Sequence, residues 1–135
     1  MSRDDELEAL ARYVVDTGFQ LHSTLGPGLL ESAYEMILFE KLRQQGIAVK
    51  RQVPVTVHYD GVRVENAFKI DLLVADRLVV ELKSVEKLNP VHGKQVLTYL
   101  RLMDLPLGLL LNFGQALFKD GIKRITNGYD AGPRG

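Results

Sequence analysis

Hydrophobic residues recur at three- and four-residue steps from Leu7 through Leu10, Ala11, Val14, Val15, Gly18 and Phe19 to Leu21 and His22. That is the period of a helix with one buried face, and it predicts a helix from Asp4 to about Leu25. Ser2 stands as its N-cap, and Asp4, Asp5 and Glu6 fall at the end of the helix dipole that favours negative charge. Gly26-Pro27-Gly28 breaks the pattern. A second stripe of Leu30, Ala33, Tyr34, Ile37, Leu38 and Leu42 predicts a helix from about Leu29 to Gln45, stopped by Gly46.

The period then changes. Val49, Arg51, Val53, Val55, Val57 and Tyr59 alternate with Lys50, Gln52, Pro54, Thr56 and His58, which is strand spacing. Asp60-Gly61 is a strong hairpin signal. Val62 to Ala75 reads as a second strand, bent near Asn66. Asp76-Arg77 marks a turn, and Leu78 to Ser84 reads as a third strand. Asn89-Pro90 opens a third helix that runs to about Met103, with Pro in its first turn. Leu107–Phe113 reads as a buried strand, and Leu117 to Thr126 as one further strand or hairpin arm. The order is ααβββαββ. A strand–helix–strand unit over 78–113 predicts parallel pairing of its two strands, and the whole predicts an α/β (α+β) fold, a mixed sheet flanked by helices.

Composition narrows the chemistry. The 135 residues make one domain of ordinary size, expected over 1–127, with GYDAGPRG from Gly128 as a flexible C-terminal tail. There is no Cys, which excludes disulfide frameworks, thiolate metal sites and thiol nucleophiles. The longest apolar runs, such as Leu107–Leu111, fall far short of a membrane span. The acidic N-terminus lacks the apolar stretch of a signal peptide, so a cytoplasmic location is expected. Lys and Arg number 17 and so do Asp and Glu, which excludes a strongly basic coat for nucleic acid. The balance is uneven, with 4 basic against 8 acidic residues in 1–46 and 13 against 9 in 47–135. An anion-attracting surface therefore belongs to the second part, where Lys50, Arg51, Lys119, Lys123 and Arg124 are candidates for tracking a phosphate backbone. His22, His58 and His92 show no metal-ligand spacing.

The stretch from Lys69 to Lys83 concentrates the chemistry. Ile70, Leu72 and Val74 are expected on one apolar face with Leu78, Val80 and Leu82. A three-residue loop, Ala75-Asp76-Arg77, pairs Lys69 with Lys83, Asp71 with Glu81 and Leu73 with Val79 across the strands. A two-residue turn instead puts Asp71 and Glu81 on opposite faces. Facing carboxylates repel unless a cation lies near them. Mg²⁺ or Mn²⁺ suits hard oxygen donors of this kind, and a lysine on the same face can orient water or stabilise developing charge.

Asp71, followed after nine residues by Glu81-Leu82-Lys83, resembles the D-(x)n-[DE]-x-K signature of the PD-(D/E)XK nuclease superfamily. Gly28-Leu29-Leu30-Glu31-Ser32-Ala33-Tyr34 is similar to the motif of the GxxExxY protein family. The likeness covers roughly residues 10–126 and takes in Gln95-x-x-x-Tyr99 and the closing D-G-I-K-R-I at 120–125. It departs from the literal signature at Ile70, which stands where the motif has Pro. The resemblance implies a restriction-endonuclease-like core and Mg²⁺-dependent cleavage of a nucleic-acid phosphodiester, in DNA ahead of RNA. It implies Asp71, Glu81, the Leu82 carbonyl and helix-borne Glu31 as metal ligands, with Lys83 positioning water. Gln95 and Tyr99, with Tyr34 and Lys69, would bind substrate or brace the site.

Plainer readings stand beside these. Asp71 and Glu81 also fit strand-end residues paired with Lys69 and Lys83. Glu31 also fits a first-turn acid favoured by the helix dipole, and Glu35, one turn on, competes for its role. Tyr34 fits a core aromatic with a bonded hydroxyl, and Gly28 a position of positive φ. The functional alternatives are a catalytically silent nucleic-acid- or protein-binding module of the same fold, and a subunit that pairs through an exposed sheet edge. A domain this small would grip a duplex as a homodimer or with a protein partner.

Overall fold

The structure, a computed structural model, describes residues 2–128; the expected tail lies outside the described residues from 129 onward. The first helix, α1 (Arg3–Leu25), starts on a reciprocal cap. The Asp5 N–H donates to Ser2 Oγ at 3.0 Å, and the Ser2 N–H donates back to Asp5 Oδ2 at 3.4 Å. It ends at Gly26, in the left-handed region at φ 71°. The second, α2 (Glu31–Gln44), stops as expected at Gly46. Gly46 lies at φ 80°, its N–H bonds to Arg43 O, and the Ile47 N–H bonds to Leu42 O.

The strands are β1 (Val49–Tyr59), β2 (Val62–Val74), β3 (Leu78–Lys83), β4 (Leu107–Asn112) and β5 (Ile122–Thr126). They form one sheet in the order β1-β2-β3-β4-β5. All neighbours are antiparallel except β3 and β4, which run parallel and are joined through α3 (Pro90–Met103). The result is a five-stranded mixed sheet with helices on both faces, an α+β fold in the order expected. The stretch from Leu117 to Thr126 divides into a 3₁₀ turn, Phe118–Gly121, and β5. Phe118 is buried in that turn against Gly18 of α1, where a β-carbon would lie 2.8 Å from the ring.

Two apolar layers hold the sheet. Leu7, Val14, Tyr34, Leu38 and Leu42 of α1 and α2 pack on Leu72, Val74, Leu78, Val80 and Leu82. On the other face, Val96 and Leu100 of α3 pack on Leu73, Val79 and Ile70. Ile70 therefore departs from the expected face, which it was to share with Leu72 and Val74. The β1–β2 ladder pairs Arg51 with Leu72 and Val53 with Ile70 but has no pair between them, at Gln52 and Asp71. Gln52 is in the left-handed region at φ 52°, and simple alternation does not carry across that break. The expected bend near Asn66 is present: Asn66 has φ 54° and the register shifts between Val55 and Val57.

Among the described residues no helix is long and apolar enough to cross a membrane. Helix α3 sits so close over β4 that a β-carbon on Gly108 would lie 2.6 Å from Val96 Cγ1. Gly108→Ala is expected to lower stability by about 1–3 kcal/mol, read as a reduced urea midpoint with an unchanged m-value.

Candidate active site

The β2–β3 hairpin fixes the register on which the site depends. Leu73 pairs with Val79 and Val74 with Leu78, leaving the loop Ala75-Asp76-Arg77 of three residues. Ala75 and Asp76 turn the chain in left-handed conformations, at φ 53° and 54°. The ladder stops at Leu72 and Val80. Beyond it, side chains take over the bonding. The Asp71 N–H donates to Glu81 Oε1 at 3.0 Å, and the Leu82 N–H donates to Asp71 Oδ2 at 2.9 Å. The two acids thus meet where the strands part. Lys69 pairs with Pro54 of β1 and is exposed, so Lys69 and Lys83 are not the ladder pair expected.

Burial raises the cost of charge here. Glu81 is 7% exposed. Desolvation, then the charge of Asp71, push its carboxyl up from 4.5 to about 8, against the Asp71 N–H bond and Lys83, which pull it down. Glu31, in the first turn of α2, is raised by burial and by Asp71 and Glu35, with Lys83 opposing. Glu35 is raised by burial and Asp71, with Gln52 and Arg51 opposing. Tyr99 of α3 has its phenol raised by burial and by the charges of Glu81 and Asp71, and its ring stacks on Phe68 at 4.2 Å. Glu31, Glu35, Asp71, Glu81, Lys83 and Tyr99 therefore form one electrostatic neighbourhood. Gln95, one turn before Tyr99, is exposed.

An open cleft of about 520 Å³ reaches this neighbourhood, lined by Leu30, Glu31, Ser32, Glu35, Arg51, Gln52 and Asp71. Glu81 is not part of that lining. The two helix acids differ in their bonding. Glu35 is buried and uses both oxygens, one accepting from Arg51 Nε at 3.0 Å and the other from Gln52 Nε2 at 2.6 Å. Glu31 is half-buried and lines the cleft.

The approach to Glu31 is fastened from two sides. Tyr34 is fully buried and stacks on Phe113 at 4.4 Å. Its hydroxyl donates to Gly26 O and accepts the Leu29 N–H. Ser84, just past Lys83, donates to Leu29 O at 2.9 Å. Gly28 sits between at φ 122°, the positive φ anticipated. Tyr34, fully buried, is bonded to the loop before α2.

Three residues escaped the sequence reading. Gln52 looks like any solvent-facing strand position. Ser84 is an ordinary strand end. Asn112, fully buried, accepts the Val85 N–H and donates to Val85 O, so it pins the chain that leaves β3; a polar residue after a run of leucines was the available signal. Of the basic candidates, Lys50 pairs with Asp76, Arg51 with Glu35 and Arg124 with Glu8. His22 bonds the Gln115 carbonyl, and His92 closes the cap of α3.

The donors gathered at the strand fork are hard carboxylate oxygens, the type that suits Mg²⁺ or Mn²⁺. Glu81 is buried and Asp71 half-buried, and acids set this close favour a cation between them, so the residues fit a divalent cation by chemistry. Among the described residues, no three acidic or histidine side chains are already gathered as a cage.

The family model described as the PD-(D/E)XK nuclease superfamily matches residues 8–125. No curated protein matches. The crystal structure of SSO0001 is similar in fold, with a TM-score of 0.52 and 16% identity over 87% of this chain and 67% of the other.

The raised carboxyl of Glu81 has a consequence for stability. The unfolded chain loses that proton near 4.5, whereas the fold without metal keeps it until about 8. The folded state binds the extra proton between those values, so its stability falls as pH rises through that window. In chelator, melting temperature is expected to decline from about pH 5 to pH 8, and Glu81→Gln to flatten the decline.

Proposed function

The chain belongs to the PD-(D/E)XK nuclease superfamily, whose members are generally divalent-metal dependent, and we propose that it hydrolyses phosphodiester bonds of nucleic acid, DNA ahead of RNA. The observation that supports this reading is the fork of β2 and β3. There the Glu81 carboxylate accepts the Asp71 N–H and the Asp71 carboxylate accepts the Leu82 N–H, with Lys83 two residues further along β3 than Glu81.

Asp71, Glu81, the Leu82 carbonyl and Glu31 would hold the cation. Glu31 is preferred to Glu35 because both Glu35 oxygens are already bonded. When bound, a Mg²⁺ or Mn²⁺ ion supplies Lewis acidity at the scissile phosphate. Lys83 is half-buried beside Glu31 and Glu81. Its ammonium orients the attacking water and offsets the negative charge that grows on the phosphate oxygens. Tyr99 bounds the site from α3, and Tyr34 and Ser84 keep the loop before Glu31 in place. Lys69 and Gln95, both exposed, contact substrate outside the acids. The active unit is a single domain over 1–127, acting in the cytoplasm as a homodimer or with a protein partner that helps it grip a duplex.

One observation favours a second reading. Glu81 accepts the Asp71 N–H and is not part of the cleft lining, an arrangement that also suits a silent binding module of the same fold. Incubation with single- and double-stranded DNA and RNA, in Mg²⁺, Mn²⁺ or chelator, separates the two. The nuclease reading expects cleavage that needs metal and falls by about 10²-fold or more in Lys83→Ala and Asp71→Asn. Salt-sensitive binding without cleavage in any metal supports the module instead.

A further inference from the structure

In a regular strand, adjacent side chains leave on opposite faces. Arg51 and Gln52 are adjacent in β1, yet both reach the carboxylate of Glu35, at 3.0 and 2.6 Å. The backbone explains how. Gln52 lies at φ 52° in the middle of an eleven-residue strand, a region that residues other than Gly, Asn and Asp seldom enter. The ladder is interrupted there, opposite Asp71. The turned-back amide nitrogen also lies 3.4 Å from Asp71 Oδ1. One –NH₂ group thus offers its two hydrogens to two carboxylates, one on α2 and one on β2. Strain in a strand opposite a candidate ligand points to a role in the site.

We infer that Gln52 is a positioning residue whose amide stands as a neutral substitute for a cation between Glu35 and Asp71, holding Asp71 in register for metal and committing Glu35 to structure. The inference rests on the nuclease reading above and extends it by one residue. A lysine there would pair with both acids and compete with a metal ion. A carboxylate would add repulsion. An amide donates to both acids without adding charge. The other Asp71 oxygen is held by the Leu82 N–H, and the carboxylate is fixed from both strands that flank it.

The test uses the full chain, Mn²⁺ titration calorimetry, and melting curves in chelator and in Mn²⁺. Gln52→Asn tolerates the left-handed backbone but is one methylene short of the bridge. It is expected to lose about tenfold or more in Mn²⁺ affinity, and, where cleavage is measured, to lose kcat with little change in KM. Gln52→Glu keeps the length and removes the donors. It is expected to melt lower than wild type in chelator and to gain more than wild type on adding Mn²⁺. Should Gln52→Asn fail to fold, Gln52→Gly takes its place, since glycine accepts the same φ. Wild-type affinity in the folded variants, with lowered melting alone, would overturn the inference and leave the nuclease reading standing. Wild-type protein that binds no Mn²⁺ would overturn both.

Discussion

The fork between β2 and β3 governs the rest of the molecule. A ladder that continued past Leu72 and Val80 would spend backbone N–H groups here on carbonyls of the neighbouring strands. The Asp71 and Leu82 N–H groups are instead taken by the Glu81 and Asp71 carboxylates. The exchange satisfies the backbone while letting the strands part, and it leaves two acids at the parting. Both N–H groups keep a partner at the parting, so the hairpin ends without an orphaned donor. The fork is also the reason for burying acids at the centre of a sheet whose flanks are leucine and valine.

Buried acids need compensation, and the surroundings supply it in several forms. Lys83 lowers the burden on Glu31 and Glu81. Arg51 pairs with Glu35, and Gln52 spans Glu35 and Asp71. These contacts tie α2 to β1 and β2, while Tyr34 and Ser84 tie the loop before α2 to the end of β3. Asn112 completes the frame from β4 by fastening Val85. The acids are thus borne on elements that are themselves cross-linked, which is the arrangement a site needs to keep its geometry.

Much of this was legible in the residues. Helix faces, caps and the order of strands follow from period and from Ser2, Gly46 and Asn89-Pro90. The three-residue loop was the condition for bringing Asp71 opposite Glu81, and it is met. What was not legible shares one cause. Face assignments count residues in twos, and counting fails where one residue enters the left-handed region. Gln52 does so without being Gly or Asn, so no composition signal marks it, and the face of Ile70 beside it was misassigned. The division of 117–126 has a different origin. Phe118 leaves strand geometry because a hole opens for it at Gly18, 100 residues earlier in the chain and visible only once α1 lies over β4 and β5.

The two functional readings differ in what becomes of one carboxylate. In the fold without metal, Glu81 is raised toward its neutral form by burial and by Asp71, and it leans on an amide of the neighbouring strand. Burial and a neighbouring acid both disfavour the charged form of a carboxyl when nothing positive lies between the two groups. A cation reverses each of those influences, because it favours the ionised form and offers a better partner than one N–H. On the proposed reading the same acids would exchange this pairing for a cation, whereas a silent binding module of the same fold would keep Glu81 on the Asp71 N–H unchanged.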